Sequence, residues 1–205
     1  MENAKIIINI GRQLGSGGRQ IGRMLADRLQ LAYYDKELVG EASKASGLCR
    51  DCFEKADERR NPSLSGLLGL SGLAGTAFGG LSNEELFRIQ SEVIDRLAAE
   101  KSCVFVGRCA DYILRRRPEC FNVFVCAPLD YRIEQVAKQL NLTAKAAEEK
   151  IRKTDKGRAA YYNFYTEKVW GQADSYHLCV DTSVLGLEKT ADLIETMGRM
   201  RGWVR

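Results

Sequence analysis

Four glycines lie within eight residues near the start of the chain, in the run Gly11-Arg12-Gln13-Leu14-Gly15-Ser16-Gly17-Gly18, which continues with Arg19 and Gln20. Glycine has no side chain to block a bound anion, so backbone N–H groups in such a run can surround a phosphate. An apolar run precedes these residues and a helical pattern follows, whose N-terminus would face the same anion. We therefore predict that Gly15, Ser16, Gly17, Gly18, Arg19 and Gln20 bind phosphate. The alternative is a structural turn, which often carries one or two glycines.

The run departs from the standard GxxxxGK[S/T] pattern of phosphate-binding loops. With Gly15-Ser16-Gly17 as the glycine turn, Gly18 stands where lysine is expected, and Arg19 and Gln20 come next without a Ser or Thr. Arg19 carries a permanent charge and a planar donor fork, so we predict a catalytic role for it; a solvated charge in the first helical turn is the alternative. Ser16 is a candidate hydroxyl ligand for Mg²⁺.

Short apolar runs rich in β-branched and aromatic residues predict strands at 5–10, 31–34, 103–106, 121–126 and 178–180. Helical spacing predicts a helix beginning near Ile21, one that carries a stripe from Leu86 to Leu97, and others at 111–117, 130–140, 144–152 and 187–199. Alternating strands and helices predict an α/β fold whose five-stranded, mostly parallel sheet has helices on both faces. Ligands of such a sheet bind at the carboxyl ends of its strands.

Charge and composition narrow the possible partners. The 205 residues carry a net charge of +4, from 31 basic and 27 acidic side chains that are spread along the sequence. This is not the concentrated basic face of a nucleic-acid-binding protein, but it suits small anionic substrates. The first apolar run is too short to span a membrane and follows no signal-peptide pattern, so we expect a cytoplasmic protein with no nucleic-acid or membrane partner.

The seven cysteines predict reduced thiols rather than disulfides. Their number is odd, and Cys103, Cys126 and Cys179 lie inside apolar runs where burial is expected. The single CxxC, Cys49 to Cys52, has no second pair, and His177 is the only histidine. A closed zinc site needs four ligands, so the sequence does not favour one.

One segment breaks the alternation of strands and helices. Residues 62–83 are rich in Gly, Leu and Ser, and contain too many glycines for a stable helix interior. We predict either a mobile loop or flap, or a linker without a role.

Four blocks of sequence, in order along nearly the whole chain, resemble the cytidylate-kinase-like family, relatives of the P-loop nucleoside monophosphate kinases. They are Gly15-Ser16-Gly17-Gly18-Arg19-Gln20-Ile21-Gly22, Tyr33-Tyr34-Asp35-Lys36-Glu37-Leu38, Val106-Gly107-Arg108-Cys109-Ala110-Asp111 and Asp155-Lys156-Gly157-Arg158-Ala159-Ala160-Tyr161-Tyr162. The resemblance implies a single three-layer P-loop kinase domain over 1–205, with a monophosphate-binding region at 36–100 and a lid at 150–168. It also implies Mg²⁺ with ATP as phosphoryl donor, and CMP or dCMP as acceptor.

The resemblance also assigns roles to residues outside the loop. Arg108 would bind the acceptor phosphate, while Cys109 stands where the family has aspartate and Asp111 could replace it. Asp35 would contact ribose or hold Mg²⁺ through water; capping a helix that starts near Lys36 is its structural alternative.

Arg152 and Arg158 would be catalytic arginines of the lid, with the chain bent near Asp155 if both act together. A solvated basic helix face is the alternative for this segment. The loop Asp181-Thr182-Ser183 would lie over the donor base.

The missing lysine leaves two further functions open. One is a regulatory protein that binds nucleotide but has lost catalysis. The other is a kinase for a different small metabolite. The sequence does not indicate an oligomeric state.

Overall fold

A computed structural model describes residues 5–35 and 83–203. The predicted loop at 62–83 lies outside the described residues except at its last position, as do the CxxC cysteines and most of the predicted monophosphate-binding region. The helix that Asp35 would cap also lies outside them.

The sheet has five parallel strands: β1 (Ile7–Arg12), β2 (Ala32–Tyr34), β3 (Cys103–Val106), β4 (Cys120–Cys126) and β5 (Leu178–Asp181). Their order is β2-β3-β1-β4-β5, and every neighbouring pair is parallel. The predicted α/β fold with a five-stranded sheet is therefore confirmed. Strand β1 runs two residues past its predicted end, because Gly11 and Arg12 still pair with Phe124 and Val125.

Six helices accompany these strands in the described residues: α1 (Gly18–Arg28), α2 (Asn83–Glu100), α3 (Ala110–Ile113), α4 (Leu129–Leu140), α5 (Ala144–Thr166) and α6 (Thr182–Met200), with a 3₁₀ turn at Ala173–Ser175. Helix α1 begins at Gly18, three residues before the predicted start. Helix α6 begins at Thr182, before its predicted start at 187, and Asp181 caps it by accepting a hydrogen bond from the amide of Ser183. The helix is interrupted at Gly186, whose φ is 71°.

Two helix predictions are wrong in length. The predicted helix 111–117 ends at Ile113. Pro118 disfavours helical backbone only at Arg117, and the earlier end has no explanation in the local sequence. The predicted helix 144–152 instead continues to Thr166 from a cap in which the Thr143 hydroxyl accepts a hydrogen bond from the amide of Ala146. The bend near Asp155, which joint action of Arg152 and Arg158 would require, is therefore absent.

Both faces of the sheet are buried. Ile8, Ile10, Val104 and Val123 lie on one face in a core shared with α1 and α6. Ile7 and Phe105, which alternate with them, are 0% exposed on the opposite face. Strands that are apolar on both faces are typical of a parallel sheet covered by helices.

The chain divides into two compact units, one of residues 1–34 and 101–205 and the other of residues 35–100. In the second unit the described helix α2 is amphipathic and buries Leu86, Val93, Ile94 and Leu97. Across the described ranges, none of the helices has the length and apolar character needed to cross a membrane.

The described cysteines, Cys103, Cys109, Cys120, Cys126 and Cys179, are all free thiols. Cys103 is buried as predicted, and burial raises its pKa to about 12. Burial was wrongly expected for the other two: Cys126 is half-buried and Cys179 is exposed. Cys179 lies on β5, an edge strand of the sheet.

Candidate active site

The glycine-rich loop joins the end of the central strand β1 to helix α1. Gly15 and Gly17 have φ values of 83° and 79°, a conformation that glycine adopts without strain. Space requires glycine as well, since a Cβ on Gly15 would lie 2.8 Å from the carbonyl oxygen of Arg132, and one on Gly17 would lie 2.2 Å from Cδ2 of Leu187. The loop is therefore fixed both by backbone conformation and by packing.

The N-terminus of α1 is suited to an anion. No side chain caps it, and its first turn contains no acidic residue. Instead the exposed side chain of Arg19 lies there, where a positive charge opposes the helix dipole unless an anion is bound. Gly18, Arg19 and Gln20 thus lie together in the turn that the sequence analysis assigned to phosphate.

Ser16 is directed into the protein. It is 0% exposed, and its hydroxyl lies 2.9 Å from the carbonyl oxygen of Gln13 and 3.0 Å from that of Val125. Its own carbonyl accepts a hydrogen bond of 2.8 Å from the hydroxyl of Thr182. These bonds attach the loop to β4 and α6, and they direct the Ser16 hydroxyl away from solvent.

A buried ion pair holds the loop from the side of α4 and α5. The amide of Leu14 donates to Oδ1 of Asp155 at 2.9 Å, and Nη1 of Arg132 donates to Oδ2 of the same carboxylate at 2.6 Å. Burial raises the pKa of Asp155, although the Leu14 amide and the guanidinium groups of Arg158 and Arg132 act in the opposite direction. In the sequence, Asp155 begins one of the family-like blocks and marks the place of a conditional bend, but no contact with the loop was predicted for it.

The two predicted lid arginines lie in different surroundings. Nη1 of Arg158 donates to the carbonyl oxygen of Arg12 at 3.0 Å and lies 3.6 Å from Asp155. Arg152 is 65% exposed in its side chain and pairs with Glu148 at 2.7 Å. Because α5 is continuous and has about 3.6 residues per turn, positions six apart lie on different faces. The structure brings Arg158 to the loop and leaves Arg152 at the surface.

The side chain of Arg12 extends from the start of α1 to the turn after β3. A Cβ on Gly18 would lie 2.5 Å from Cβ of Arg12, and a Cβ on Gly107 would lie 2.1 Å from its Nη1. In the sequence Arg12 is part of the glycine-rich run, and no role was predicted for it. The only available signal was the presence of glycine at both 18 and 107, and nothing in their spacing connects them to residue 12.

The turn after β3 has a left-handed backbone at three successive residues, with φ of 82° at Gly107, 60° at Arg108 and 56° at Cys109. For a residue other than glycine this conformation costs roughly 1–2 kcal/mol, and such strain is concentrated at functional sites. The amide of Gly107 bonds to the carbonyl of Ile10 on β1 at 3.0 Å. The strained turn carrying Arg108 therefore lies beside the strand that leads into the loop.

Asp111 is tied to the same edge of the sheet by two tyrosines. The hydroxyl of Tyr162 donates to its Oδ2 at 2.7 Å and also makes hydrogen-bonding contact with Tyr176. Tyr176 packs on the backbone of β1, since a Cβ on Gly11 would lie 3.2 Å from its hydroxyl. Burial raises the pKa of Asp111. Asp35, the remaining predicted site residue, is buried directly after β2.

Comparison with known families gives one match over most of the chain. Residues 7–184 match the model of the cytidylate kinase-like family. No protein of curated function matches the sequence.

Solved structures share the fold. A protein described as uncharacterized from Eubacterium ventriosum is 27% identical, with a TM-score of 0.72 over 94% of this chain and 98% of that one. Shikimate kinase from Bacteroides thetaiotaomicron is 12% identical, with a TM-score of 0.55 over 94% of this chain and 97% of that one. Shikimate kinase from Acinetobacter baumannii, solved in complex with shikimate, is 15% identical, with a TM-score of 0.51 over 98% and 95%. At such identities the two kinases show the P-loop kinase fold alone.

Proposed function

The chain belongs to the cytidylate kinase-like family, and from that premise we propose that it transfers the γ-phosphoryl group of ATP to a nucleoside monophosphate. CMP and dCMP are the acceptors that the family resemblance favours. The observation that carries the proposal is the loop Gly15–Gln20, in which the left-handed backbone at Gly15 and Gly17 requires glycine and the helix N-terminus is uncapped and basic.

The reaction needs positioning and positive charge more than covalent chemistry. An oxygen of the acceptor phosphate attacks the γ-phosphorus of ATP, and the bond from that phosphorus to the β–γ bridging oxygen breaks. ADP leaves with the electron pair, and the acceptor becomes a nucleoside diphosphate. The loop would hold the donor phosphates while Arg108, at the end of the neighbouring strand β3, would bind the acceptor phosphate.

Each of the other predicted site residues would have a different part in the transfer. Arg19 lies in the first turn of α1 and would contact the donor phosphates there. Arg158 is held against the loop and adds positive charge there. Asp111 and Asp35 would contact the acceptor. Arg152 would have to leave Glu148 and change its face of α5 to act, so we assign it no step. Residues 181–183, where a loop over the donor base was predicted, are instead the end of β5 and the start of α6, and this junction would lie near the donor base.

Mg²⁺ would enter the site with ATP and be held by its phosphates, where it screens charge that builds during transfer. The described loop offers the ion no suitable ligand, because its one hydroxyl, on Ser16, is buried against carbonyl oxygens. No step above depends on a protein ligand to the metal.

A coupled assay of ADP release tests the proposal with MgATP and each common nucleoside monophosphate. We expect release that depends on the monophosphate, with CMP or dCMP among the best acceptors. The same screen extended to small hydroxylated metabolites, shikimate among them, separates a kinase for another metabolite. Background rates with every monophosphate would contradict the proposal.

A nucleotide-binding protein without catalysis is the second candidate. It is favoured by the absence of lysine at position 18 and by the burial of Ser16. Calorimetry that shows tight ATP binding, together with no transfer to any acceptor in the screen, would select it. Loss of measurable transfer in an Arg19→Ala variant of an active protein would exclude it.

A further inference from the structure

Position 18, which holds lysine in the standard loop pattern, has no room for a side chain in this fold. A Cβ there would lie 2.5 Å from Cβ of Arg12 and 3.1 Å from its Cγ, closer than carbon atoms approach without strain. The backbone of Gly18 is ordinary helical backbone, so conformation does not exclude a larger residue. The stem of Arg12 occupies the volume that a lysine at 18 would need.

The charged end of Arg12 lies at the other side of the site. Nη1 and Cζ of its guanidinium would be 2.1 Å and 3.1 Å from a Cβ on Gly107. Gly107 ends β3, the neighbour of β1 in the sheet, and the next residue is Arg108. The guanidinium is therefore placed between the phosphate loop and the turn that carries the proposed acceptor-binding arginine.

We propose that Arg12 is the catalytic cation of this site and that it replaces the missing lysine from the end of β1. The inference rests on the proposed function, because it requires a γ-phosphoryl group that moves from the loop towards Arg108. During transfer, negative charge builds on the equatorial oxygens of that group. A guanidinium between the ATP side and the acceptor side stabilises this charge, because its parallel N–H groups can hydrogen-bond to those oxygens. With both Arg12 and Arg108 near the acceptor, the site also favours a substrate that carries its own phosphate over a neutral alcohol.

The backbone of Arg12 is held firmly enough for such a role. As the last residue of β1 it is paired with Val125, and its carbonyl accepts the 3.0 Å hydrogen bond from Arg158. Arg158 is in turn 3.6 Å from Asp155, which bonds to the loop at Leu14. Arg158 thus acts as a positioning residue for Arg12 as well as a nearby charge.

Four proteins test the inference: wild type, Arg12→Met, Arg12→Lys and the control Arg116→Met. Met keeps an unbranched stem beside Gly18 and removes the charge, while Arg116 is an exposed arginine outside the site. With MgATP and CMP, or the acceptor that the screen identifies, we expect kcat/KM to fall about 100-fold or more in Arg12→Met. The fall in Arg12→Lys should be smaller and Arg116→Met should match wild type. Unfolding curves establish that each variant is folded.

A second set of variants moves the positive charge from position 12 to position 18. Gly18→Lys alone should lose activity, because its side chain displaces Arg12, and Arg12→Gly should lose it through the missing charge. The double variant Arg12→Gly/Gly18→Lys removes the Arg12 stem and leaves Cβ of Val125, 3.2 Å from a Cβ on residue 18, as the close neighbour that must shift slightly. It should recover about tenfold or more over Arg12→Gly. A purely structural role for Arg12 would give no such recovery.

The inference and the proposed function fail in different ways. If wild type transfers phosphoryl groups and Arg12→Met does so equally well, with unchanged MgATP affinity by calorimetry, the inference is wrong and the proposed function stands. If wild type neither binds MgATP nor transfers its phosphoryl group, both are wrong.

Discussion

Arg108 combines a strained backbone with a side chain at the carboxyl edge of the sheet. Its φ of 60° and that of 56° at Cys109 follow Gly107 in the same left-handed turn, which a pair of ordinary residues adopts only at a cost in free energy. A stability-driven choice at this position would be glycine. The presence of arginine there is consistent with selection for its guanidinium, as the proposed acceptor role requires.

Arg108→Gly and Arg108→Ala should therefore differ in stability but not in activity. Both variants lose the guanidinium, so both should lose transfer, while glycine relieves the left-handed strain and should be about 1 kcal/mol more stable than alanine. Urea unfolding measures the difference and the ADP-release assay measures the loss. Equal stability of the two variants would show that the turn is not strained at Arg108.

Single residues also mark what the sequence could predict of the site and what it could not. The glycine turn at Gly15 and Gly17 and the helix after it could be predicted because their pattern is local, while phosphate binding by them stays a prediction. The position of Arg12 was missed because it depends on contacts with Gly18 and with Gly107, which is 95 residues further along the chain. Packing between distant positions leaves no pattern in one sequence.

Helix α5 is the element that holds the loop, and it does so through a buried ion pair. Asp155 and Arg132 have side chains only 15% and 9% exposed, and the raised pKa of Asp155 indicates that burial outweighs the favourable contacts of its charged form. Such a pair adds little net stability, but removing one partner leaves the other buried and uncompensated.

Asp155→Asn should therefore destabilise the protein by about 3 kcal/mol, because Arg132 loses its counter-charge. Glu148→Gln is the matched control on the same helix: it breaks the exposed pair with Arg152 and should cost less than about 1 kcal/mol. Urea unfolding of both variants gives the comparison, and KM for ATP should rise only in Asp155→Asn, since Leu14 is held by that carboxylate. Equal losses in the two variants would mean that the loop is not anchored through α5.

Elements with clear periodicity were predicted well, while their ends were not. The apolar runs fixed all five strands, but β1 continues through Gly11 and Arg12 because strand pairing overrides the weak strand preference of glycine. Helix α5 passes through Gly157 to Thr166, although that stretch has a mixed pattern. Tertiary packing decided these boundaries, and it is not visible in local sequence.

At the scale of the whole molecule, the alternation of strands and helices and the family resemblance were sufficient for the fold class. The strand order β2-β3-β1-β4-β5 was not predicted, because alternation alone is compatible with several orders. That order places β1 in the centre of the sheet, between β3 and β4. The turn that carries Arg108 follows β3 on one side, and β4 on the other side accepts a hydrogen bond from Ser16 of the loop. The site is thus a consequence of strand order as much as of the loop.

His177 links global stability to pH, since it is the only histidine of the chain. Its Nδ1 accepts a 2.9 Å hydrogen bond from the amide of Asn122, which requires a neutral ring nitrogen. Burial, with Arg201 adding to the effect, lowers the pKa of His177 below its ordinary value of 6.5. Between the lowered pKa and 6.5 the unfolded chain binds more protons than the folded one, so this contribution to stability falls as the pH falls.

We expect the stability difference between wild type and His177→Gln to shrink as the pH is lowered from 7.5 to 5.5. Asp111 and Asp155 have raised pKa values, so their contributions change in the opposite direction, but both proteins contain them and the subtraction removes them. Urea unfolding midpoints at pH 7.5, 6.5 and 5.5 provide the measurement. A difference that stays constant across this range would show that His177 titrates alike in the folded and unfolded chain, and that its bond to Asn122 does not hold the ring neutral.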